Sequence, residues 1–312
     1  MKELLKLGVY TLLGTLLLSA PFAGLGMLST HLVTEKTFWI QLIALFLSAV
    51  SLQGLWLNPS KGLCPWTYVD ILPLSLLGLI LLSYPYSIHP EPEKLLFIGQ
   101  MVVLWYLLRQ VFHEYPVLIG YFSMFFIATG LIEAIWGFRQ LQGWAYSNHS
   151  LFRLTGSFFN PGPYSGYLAM ILPVCLYQWL TKRGEILCSD RNDGRRWEKV
   201  MDKAGTMVTG GVMLLILCVL PAGMSRSAWM AAAVSGIWVY GIHASWATWL
   251  KEAGQKYKKT MITGLVIGGL VLIMIGYVLF QLKAASANGR LLMWKISCLA
   301  IAESPVVGHG AD

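Results

Sequence analysis

Three arginines stand beside turn-rich segments between long apolar runs, where a guanidinium is suited to binding an anion. Arg153 begins the segment 153–166, Arg226 lies in the segment 225–229, and Arg290 follows an Asn-Gly pair. An arginine near a membrane needs water or an anionic partner, because centring it in a bilayer costs roughly 2.5–3.5 kcal/mol. No acidic residue lies within twenty positions of Arg226 on either side. Phosphate or pyrophosphate is the anion that the guanidinium fork fits best.

Two predicted helix starts accompany these arginines. Asn160 is a good N-cap, and Pro161 suits the first helical position because its missing N–H would be unpaired there. Ser225 has the same capping role just before Arg226. A helix N-terminus carries free N–H groups and a partial positive charge, so we expect anion sites at Arg153 with Asn160 and at Ser225 with Arg226. The alternatives are an ordinary capped loop for the first site and a snorkelling side chain for the second. Arg290 has the alternative of a solvated loop residue.

Two polar residues interrupt the apolar run that precedes Arg153. Glu133 lies in the outer part of this run, and Gln140 follows it two turns later. A carboxylate in a membrane segment is a functional candidate, here as a contact to a substrate hydroxyl or as a proton relay. Glu133 is also close enough to the predicted interface to be hydrated. Both residues therefore join the candidate binding site.

The sequence predicts neither a cofactor nor a metal ion. No phosphate-binding loop of the ATPase kind is present, and the five cysteines are scattered without a Cys-x-x-Cys pair. No pair of exterior carboxylates offers a site for Mg²⁺ or Mn²⁺.

Composition predicts that these residues are positioned by an all-α, polytopic membrane helix bundle. Hydrophobic residues make up 56% and charged residues 12% of the chain, and its mean hydropathy is +0.61. Apolar runs long enough to cross a bilayer recur, and we predict about nine transmembrane helices. They cover residues 7–29, 38–57, 68–85, 94–112, 116–138, 162–180, 205–224, 227–248 and 261–282. We predict a single domain over 1–312, with the spans in 1–283 and an exterior loop beginning in 284–312.

The placement of positive charge predicts the orientation of this bundle. Lysine and arginine cluster at the N-terminus, after the sixth span and after the eighth span. If the spans alternate in direction, all three clusters lie on one side, and the positive-inside rule makes that side cytoplasmic. The net charge of +8 therefore indicates topology rather than binding to nucleic acid. The N-terminus is then cytoplasmic, and the three arginines share the exterior face with the C-terminal tail.

The tail is predicted to contain one short helix. Asn288-Gly289 is typical of a turn, and Pro305 stops whatever precedes it. About a dozen residues between them are too few to span a membrane, so we expect a helix on the membrane surface or against the bundle. The chain ends at Asp312 in what resembles the middle of a loop, and we expect a fragment.

Four motifs in order resemble the bacterial O-antigen ligase and polymerase superfamily of multi-pass glycosyltransferases, over nearly the whole chain. The first is the segment Arg153-Leu-Thr-Gly-Ser-Phe-Phe-Asn-Pro-Gly-Pro-Tyr-Ser-Gly-Tyr-Leu-Ala169, preceded by Gln140. The second is Ser225-Arg-Ser-Ala-Trp229. The third is Gly289-Arg290 with Trp294, and the last is the turn from Pro305 to Gly310.

The resemblance implies a metal-independent membrane glycosyltransferase of the GT-C-like class in the bacterial inner membrane, with its active face periplasmic. Its donor would be a glycan on undecaprenyl pyrophosphate, and its acceptor a hydroxyl of the lipid A core, of another lipid-linked glycan or, as in some relatives, of a protein. Arg226 and Arg290 would hold the pyrophosphate and stabilise charge on the leaving group. Arg153, Asn160, Ser225, Gln140 and Glu133 would shape the donor site.

The resemblance departs from the family pattern at the end of the chain. The family continues into a large exterior loop with a histidine near the acceptor, and His309 lies too early to be that residue. We therefore expect the 312 residues to bind donor but to transfer poorly or not at all.

Three other functions stay open beside the ligase. A polysaccharide polymerase of the same superfamily would share the donor site. A transporter or flippase of lipid-linked oligosaccharide is less favoured, because charge in mid-span is nearly absent apart from Glu133. The third alternative is a non-catalytic membrane subunit.

Overall fold

Helices account for all regular secondary structure in the part of the chain that the structure describes. The computed structural model describes residues 2–23, 32–57, 64–87, 91–189, 196–246 and 284–305, and four isolated helical positions, 268, 270, 274 and 281. The predicted all-α class is confirmed for these residues. Nine α-helices are described over more than one turn: α1 (Lys2–Leu18), α2 (Leu32–Leu57), α3 (Tyr68–Ser83), α4 (Pro92–Glu114), α5 (Val117–Gln142), α6 (Pro161–Ser189), α7 (Arg196–Val219), α8 (Arg226–His243) and α9 (Ala284–Glu303). Short 3-10 helices cover Ala20–Phe22, Tyr84–Tyr86 and Leu220–Gly223.

Five helices are long and apolar enough to cross a membrane, by length and composition. They are Val33–Gln53, Tyr68–Tyr86, Pro92–Glu114, Val117–Gln142 and Lys203–Gly223, which correspond to the second, third, fourth, fifth and seventh predicted spans. A shorter apolar helix covers Leu4–Leu18. The total of nine and the orientation stay predictions. The ninth predicted span, 261–282, lies outside the described residues except for its isolated helical positions.

The first predicted span is wrong in its extent. We expected it to run to residue 29, but α1 ends at Leu18 and a 3-10 turn follows. Pro21 explains the end, because proline lacks the N–H that a helix needs and its ring clashes with the preceding turn. The second predicted span begins too late, since α2 starts at Leu32 with Glu35 in its first turn.

The predicted turn in the tail is also wrong. Asn288 and Gly289 lie inside α9, which is continuous from Ala284 to Glu303 and has 20 residues rather than about a dozen. A glycine within a helix is disfavoured by about 1 kcal/mol, and the alanines and leucines around this pair favour the helix. Pro305 follows shortly after the helix end, as predicted.

The chain divides into two compact units. The first contains residues 1–17, 38–118 and 266–312, and the second contains 18–37 and 119–265. In the first unit α3 packs on α4, and Asp70 at the start of α3 is fully buried. Its carboxylate accepts hydrogen bonds from the backbone and side chain of Thr67 and forms an ion pair with Arg109. This buried charge is thus compensated within its own unit.

The second unit holds a continuous apolar core. Helix α6 packs against both α7 and α8, and the core also takes side chains from α5 and from the loop after it. Fully buried members include Tyr164, Leu168 and Ile171 on α6 and Ile216 on α7. Because α6 lies at the centre, its first turn has a defined position relative to α5 and α8.

Candidate functional site

Gln140, near the end of α5, holds the loop that leads to α6. Its side chain is 1% exposed. Its Oε1 accepts the backbone N–H groups of Thr155 at 2.9 Å and Gly156 at 2.7 Å. Its Nε2 donates to the carbonyls of Tyr146 at 2.8 Å and Gly156 at 3.1 Å. Both ends of the amide are therefore occupied by the protein itself, and Gln140 acts on the site through the loop.

Glu133, two turns earlier on α5, holds the next residue of the same loop. Its Oε2 accepts the backbone N–H of Ser157 at 3.0 Å, and its backbone carbonyl accepts the hydroxyl of Tyr164 at 3.0 Å. The side chain is 0% exposed, so the expectation of a hydrated interfacial carboxylate is wrong. The fold buries it because the loop turns back over this end of α5. Oε1 has no hydrogen-bond partner among the described residues.

Lys36, in the first turns of α2, contacts Ser157 from the opposite side. Its Nζ donates to the carbonyl of Ser157 at 2.8 Å, to the Ser157 Oγ at 3.2 Å and to the carbonyl of Pro21. The ammonium also lies 4.4 Å from the ring centroid of Phe158. The Ser157 Oγ donates to the carbonyl of Pro21 at 2.6 Å. Every polar atom of Ser157 is therefore paired.

Gly156 allows the loop to pass this closely over α5 and α6. Its φ is +56°, a left-handed conformation that side chains disfavour. A Cβ at this position would also collide with the ring of Tyr164 and with Oε2 of Glu133. The glycine is thus required for both conformation and space.

Asn160 begins α6 as predicted. Its Oδ1 accepts the backbone N–H of Gly162 at 3.0 Å, which is the bond expected of an N-cap, and Pro161 occupies the first helical position. Arg153, seven residues earlier, is exposed, and its guanidinium lies near Gly143 at the end of α5.

A tight turn connects α7 to α8 and sets the position of the second predicted anion site. Met224 has a φ of 51°, which is uncommon for a residue other than glycine. The indole Nε1 of Trp229 donates to the carbonyl of Leu220 at 3.0 Å and closes the turn. Gly223 approaches α6 so closely that a Cβ there would collide with the Ser165 Oγ. The fully buried Ser165 Oγ has no hydrogen-bond partner among the described residues.

Ser225 and Arg226 begin α8, one residue earlier than predicted. Ser225 occupies the N-cap position, but its hydroxyl makes no capping bond and instead lies 3.3 Å from the Ser227 Oγ. Arg226 is half-buried at the first helical position. The capping position is as predicted, whereas the capping bond is absent.

A groove of about 500 Å³ runs between the N-terminal halves of α6 and α8. Small and apolar residues line nearly all of it: Gly162, Gly166, Ala169, Met170, Pro173, Ser225, Ser227, Ala228, Ala231 and Ser235. The starts of both helices lie at one end of the groove. Two separate sequence motifs, 153–169 and 225–229, thus meet at one site.

The other candidate residues lie elsewhere. Arg290 is an exposed residue of α9 and belongs to the first unit, whereas Arg226 belongs to the second. A shared site for the two arginines stays a prediction. In the described ranges, no group of three or more His, Cys, Asp or Glu side chains is placed to hold a metal ion.

Sequence reasoning missed Lys36, and it gave no separate role to Ser157 or Trp229, although both lie in the quoted motifs. Lys36 is the one basic residue of α2, which was a usable signal. At a span boundary, however, a lysine is normally read as an interfacial anchor. Its partner Ser157 is 121 residues away in the chain, so no local pattern connects them.

The fold and the five apolar helices define a multi-pass membrane protein by length and composition. Residues 211–312 match the model of the O-antigen ligase family. This match confirms the predicted resemblance to the O-antigen ligase superfamily over that part of the chain, which includes Arg226 and Arg290. No curated protein matches the chain, and no solved structure does.

Proposed function

We propose that this protein is an O-antigen ligase-like glycosyltransferase of the bacterial inner membrane that acts on its periplasmic face. The donor is a glycan linked to undecaprenyl pyrophosphate, and the acceptor is a hydroxyl of the lipid A core. The bond between the sugar's anomeric carbon and the pyrophosphate oxygen breaks. A bond from the acceptor oxygen to that carbon forms, the acceptor's proton passes to the surrounding water, and undecaprenyl pyrophosphate leaves.

The observation that carries this proposal is the groove between α6 and α8. Gly162 and Gly166 line it from the first motif of the resemblance, and Ser225 and Ser227 line it from the second. An apolar groove of this size, with two helix N-termini at one end, suits a lipid with an anionic head. The family match over residues 211–312 supports the same assignment.

Arg226 has the central role in the proposed chemistry. It occupies the first turn of α8, where the helix N-terminus also favours negative charge. A guanidinium there stabilises the charge that develops on the departing pyrophosphate, a contribution that is commonly worth about 10²–10³ in rate. Arg290 is proposed as a second pyrophosphate ligand, on the basis of the resemblance alone.

The test compares Arg226→Ala and Arg226→Lys with the unaltered chain. We expect Arg226→Ala to lower transfer from the lipid-linked donor about a hundredfold or more, and Arg226→Lys to retain part of it. Arg139→Ala is the matched control, since Arg139 is an exposed arginine in the last turn of α5, away from any helix N-terminus. Equal transfer by Arg226→Ala and by the control would refute the assignment.

The choice of acceptor separates the ligase from its relatives. The same assay with lipid A core as acceptor, and then with a second lipid-linked glycan, distinguishes a ligase from a polymerase. Movement of labelled donor across the bilayer without transfer to either acceptor would indicate the flippase alternative instead.

A further inference from the structure

Ser157 is held by two opposite charges that come from two different helices. The Glu133 carboxylate of α5 accepts its N–H at 3.0 Å, and the Lys36 ammonium of α2 donates to its carbonyl at 2.8 Å. Each charge thus binds one face of the same residue. The arrangement lies wholly within the second unit.

The site is mostly buried, and Lys36 itself is half-buried. Glu133 is fully buried and Ser157 is 8% exposed. The Lys36 ammonium has the Ser157 carbonyl, the Ser157 hydroxyl and the Pro21 carbonyl as acceptors. A buried charge is retained only where partners compensate it, and here the partners are the loop backbone and the opposite charge.

Ser157 is three residues before the Asn160 cap of α6. Phe158, between them, lies under the Lys36 ammonium and packs against Tyr167 with ring centroids 5.5 Å apart. Fixing Ser157 and Phe158 therefore fixes where the capped end of α6 begins, and Gly162 in that first turn lines the groove.

We propose that Lys36 and Glu133 are positioning residues of the donor site. They hold Ser157 between them and so set the position of the α6 N-terminus at the groove. This inference rests on the proposed function for the identity of the donor. Neither residue contacts the donor; both act through the loop. Pro21 contributes to the same arrangement. Because α1 ends before it, its carbonyl is free to accept hydrogen bonds from both Lys36 and Ser157.

Two variants at each position distinguish loss of the hydrogen-bonding group from a change that keeps it. Lys36→Met removes the donors, whereas Lys36→Arg keeps a cation that can reach the same carbonyls. Glu133→Leu removes the acceptor, whereas Glu133→Gln keeps an amide oxygen for the Ser157 N–H. Lys94→Met and Glu93→Gln are the matched controls, since both residues are exposed on α4 in the first unit.

The first measurement is hydrogen exchange of the full chain in nanodiscs. We expect Lys36→Met and Glu133→Leu to speed exchange of the amides of residues 155–158, while Glu133→Gln, Lys36→Arg and the controls leave it near the original rate. Unchanged exchange in Lys36→Met would overturn the proposal, whether or not the chain transfers glycan.

The second measurement determines the KM for donor and for acceptor and the yield of folded protein, so that donor binding is distinguished from turnover and from folding. Lys36→Met should raise the KM for the lipid-linked donor about tenfold to a hundredfold, since small misplacements in a site have effects of that size. The KM for the acceptor should stay within about twofold, and Lys36→Arg should restore most of the donor KM. Less folded protein with an unchanged donor KM would show a purely structural role and overturn the proposal.

A double variant tests the proposal if Lys36→Met alone does not fold. Lys36→Met leaves the buried Glu133 carboxylate without its opposite charge, so Glu133→Gln is added beside it to let the chain accumulate. The double variant K36M/E133Q should fold and still show the raised donor KM; a normal donor KM in it would count against the proposal. An unaltered chain that binds no lipid-linked donor would refute the proposed function, and the exchange experiment then decides the positioning role alone.

Discussion

Gln140 shows how one side chain determines the shape of a whole loop. An amide presents a donor and an acceptor at its two ends, and the loop offers N–H groups at Thr155 and Gly156 and carbonyls at Tyr146 and Gly156. A carboxylate would supply only acceptors, and an apolar residue would leave all four backbone groups unpaired. The glutamine is therefore the residue that the buried loop requires.

We predict that Gln140→Glu destabilises the protein although it hardly changes the side-chain volume. It loses both donated bonds and places a negative oxygen beside two carbonyls, which should lower the free energy of unfolding by about 2 kcal/mol or more. The measurement is the midpoint of thermal unfolding in detergent. Gln142→Glu, at an exposed position on the same helix, should change it little. Equal midpoints for the two variants would contradict the role given to Gln140.

The surroundings of Arg226 and Arg153 differ in how well they suit an anion. Arg226 has a helix N-terminus and a groove beside it, whereas Arg153 is exposed near Gly143. At Arg153 the sequence pattern therefore predicts an anion site that the geometry does not strengthen. At Arg226 the pattern and the geometry point to the same place.

At the scale of elements, the approach of the α7–α8 turn to α6 sets the width of the groove. Gly223 lies against Ser165, and Trp229 ties the start of α8 back to Leu220. These contacts leave no room for a side chain at position 223. The two helix starts consequently stand next to each other.

We predict that Gly223→Ala disturbs this approach and that Ser165→Ala compensates for it. The new methyl group meets the Ser165 Oγ, which overpacks the core by about 1–3 kcal/mol. Removing that hydroxyl relieves the collision. Ser165→Ala alone should be neutral or stabilising, because the hydroxyl is buried and has no hydrogen-bond partner among the described residues. Thermal unfolding of both single variants and the double variant gives the coupling energy between positions 223 and 165. Additive effects would argue against contact between these two positions.

The groove makes a separate prediction about donor use. Ala231→Leu adds bulk to its wall, so we expect the donor KM to rise by roughly 5-fold to 100-fold, which corresponds to about 1–3 kcal/mol. Ala233→Leu is the matched control, because Ala233 is exposed on α8 and does not line the groove. A donor KM that responds equally to both changes would place the donor elsewhere.

At the scale of the whole molecule, the positive-inside rule predicts which ends of the helices face the periplasm. In a cysteine-free chain, a cysteine at the exposed position of Ser150 should react in intact cells with a maleimide that cannot cross the membrane. A cysteine at the exposed position of Lys203 should react only after the cells are opened. Labelling in the reverse order would invert the orientation and remove the proposed site from the periplasm.

The features that the sequence predicted well are those that depend on neighbours in the chain. The Asn160 cap and the apolar helices α3, α4 and α5 follow from residue types within a few positions of one another. The predicted turn in the tail was wrong for a related reason. Asn288-Gly289 has a turn preference, but the surrounding helix formers outweigh it.

The buried side of the site could not be predicted, because it depends on long-range packing. Glu133 sits where an interface was expected, yet the loop from Thr155 to Ser157 covers it. That covering follows from Gln140, Gly156 and Tyr164 together. No single periodicity in the sequence contains this information.

The Ser157 contacts also have a consequence for the order of synthesis. Lys36 and Pro21 emerge from the ribosome 121 and 136 residues before Ser157 does. Contacts between such distant residues close late in folding. Until then the lysine has no loop to bind, and water or lipid headgroups must solvate it. A cell that stalls translation before residue 157 should therefore hold an N-terminal segment that has inserted but cannot yet pack. Such a stalled chain would carry Lys36 without the Ser157 acceptors that bind its ammonium in the folded protein.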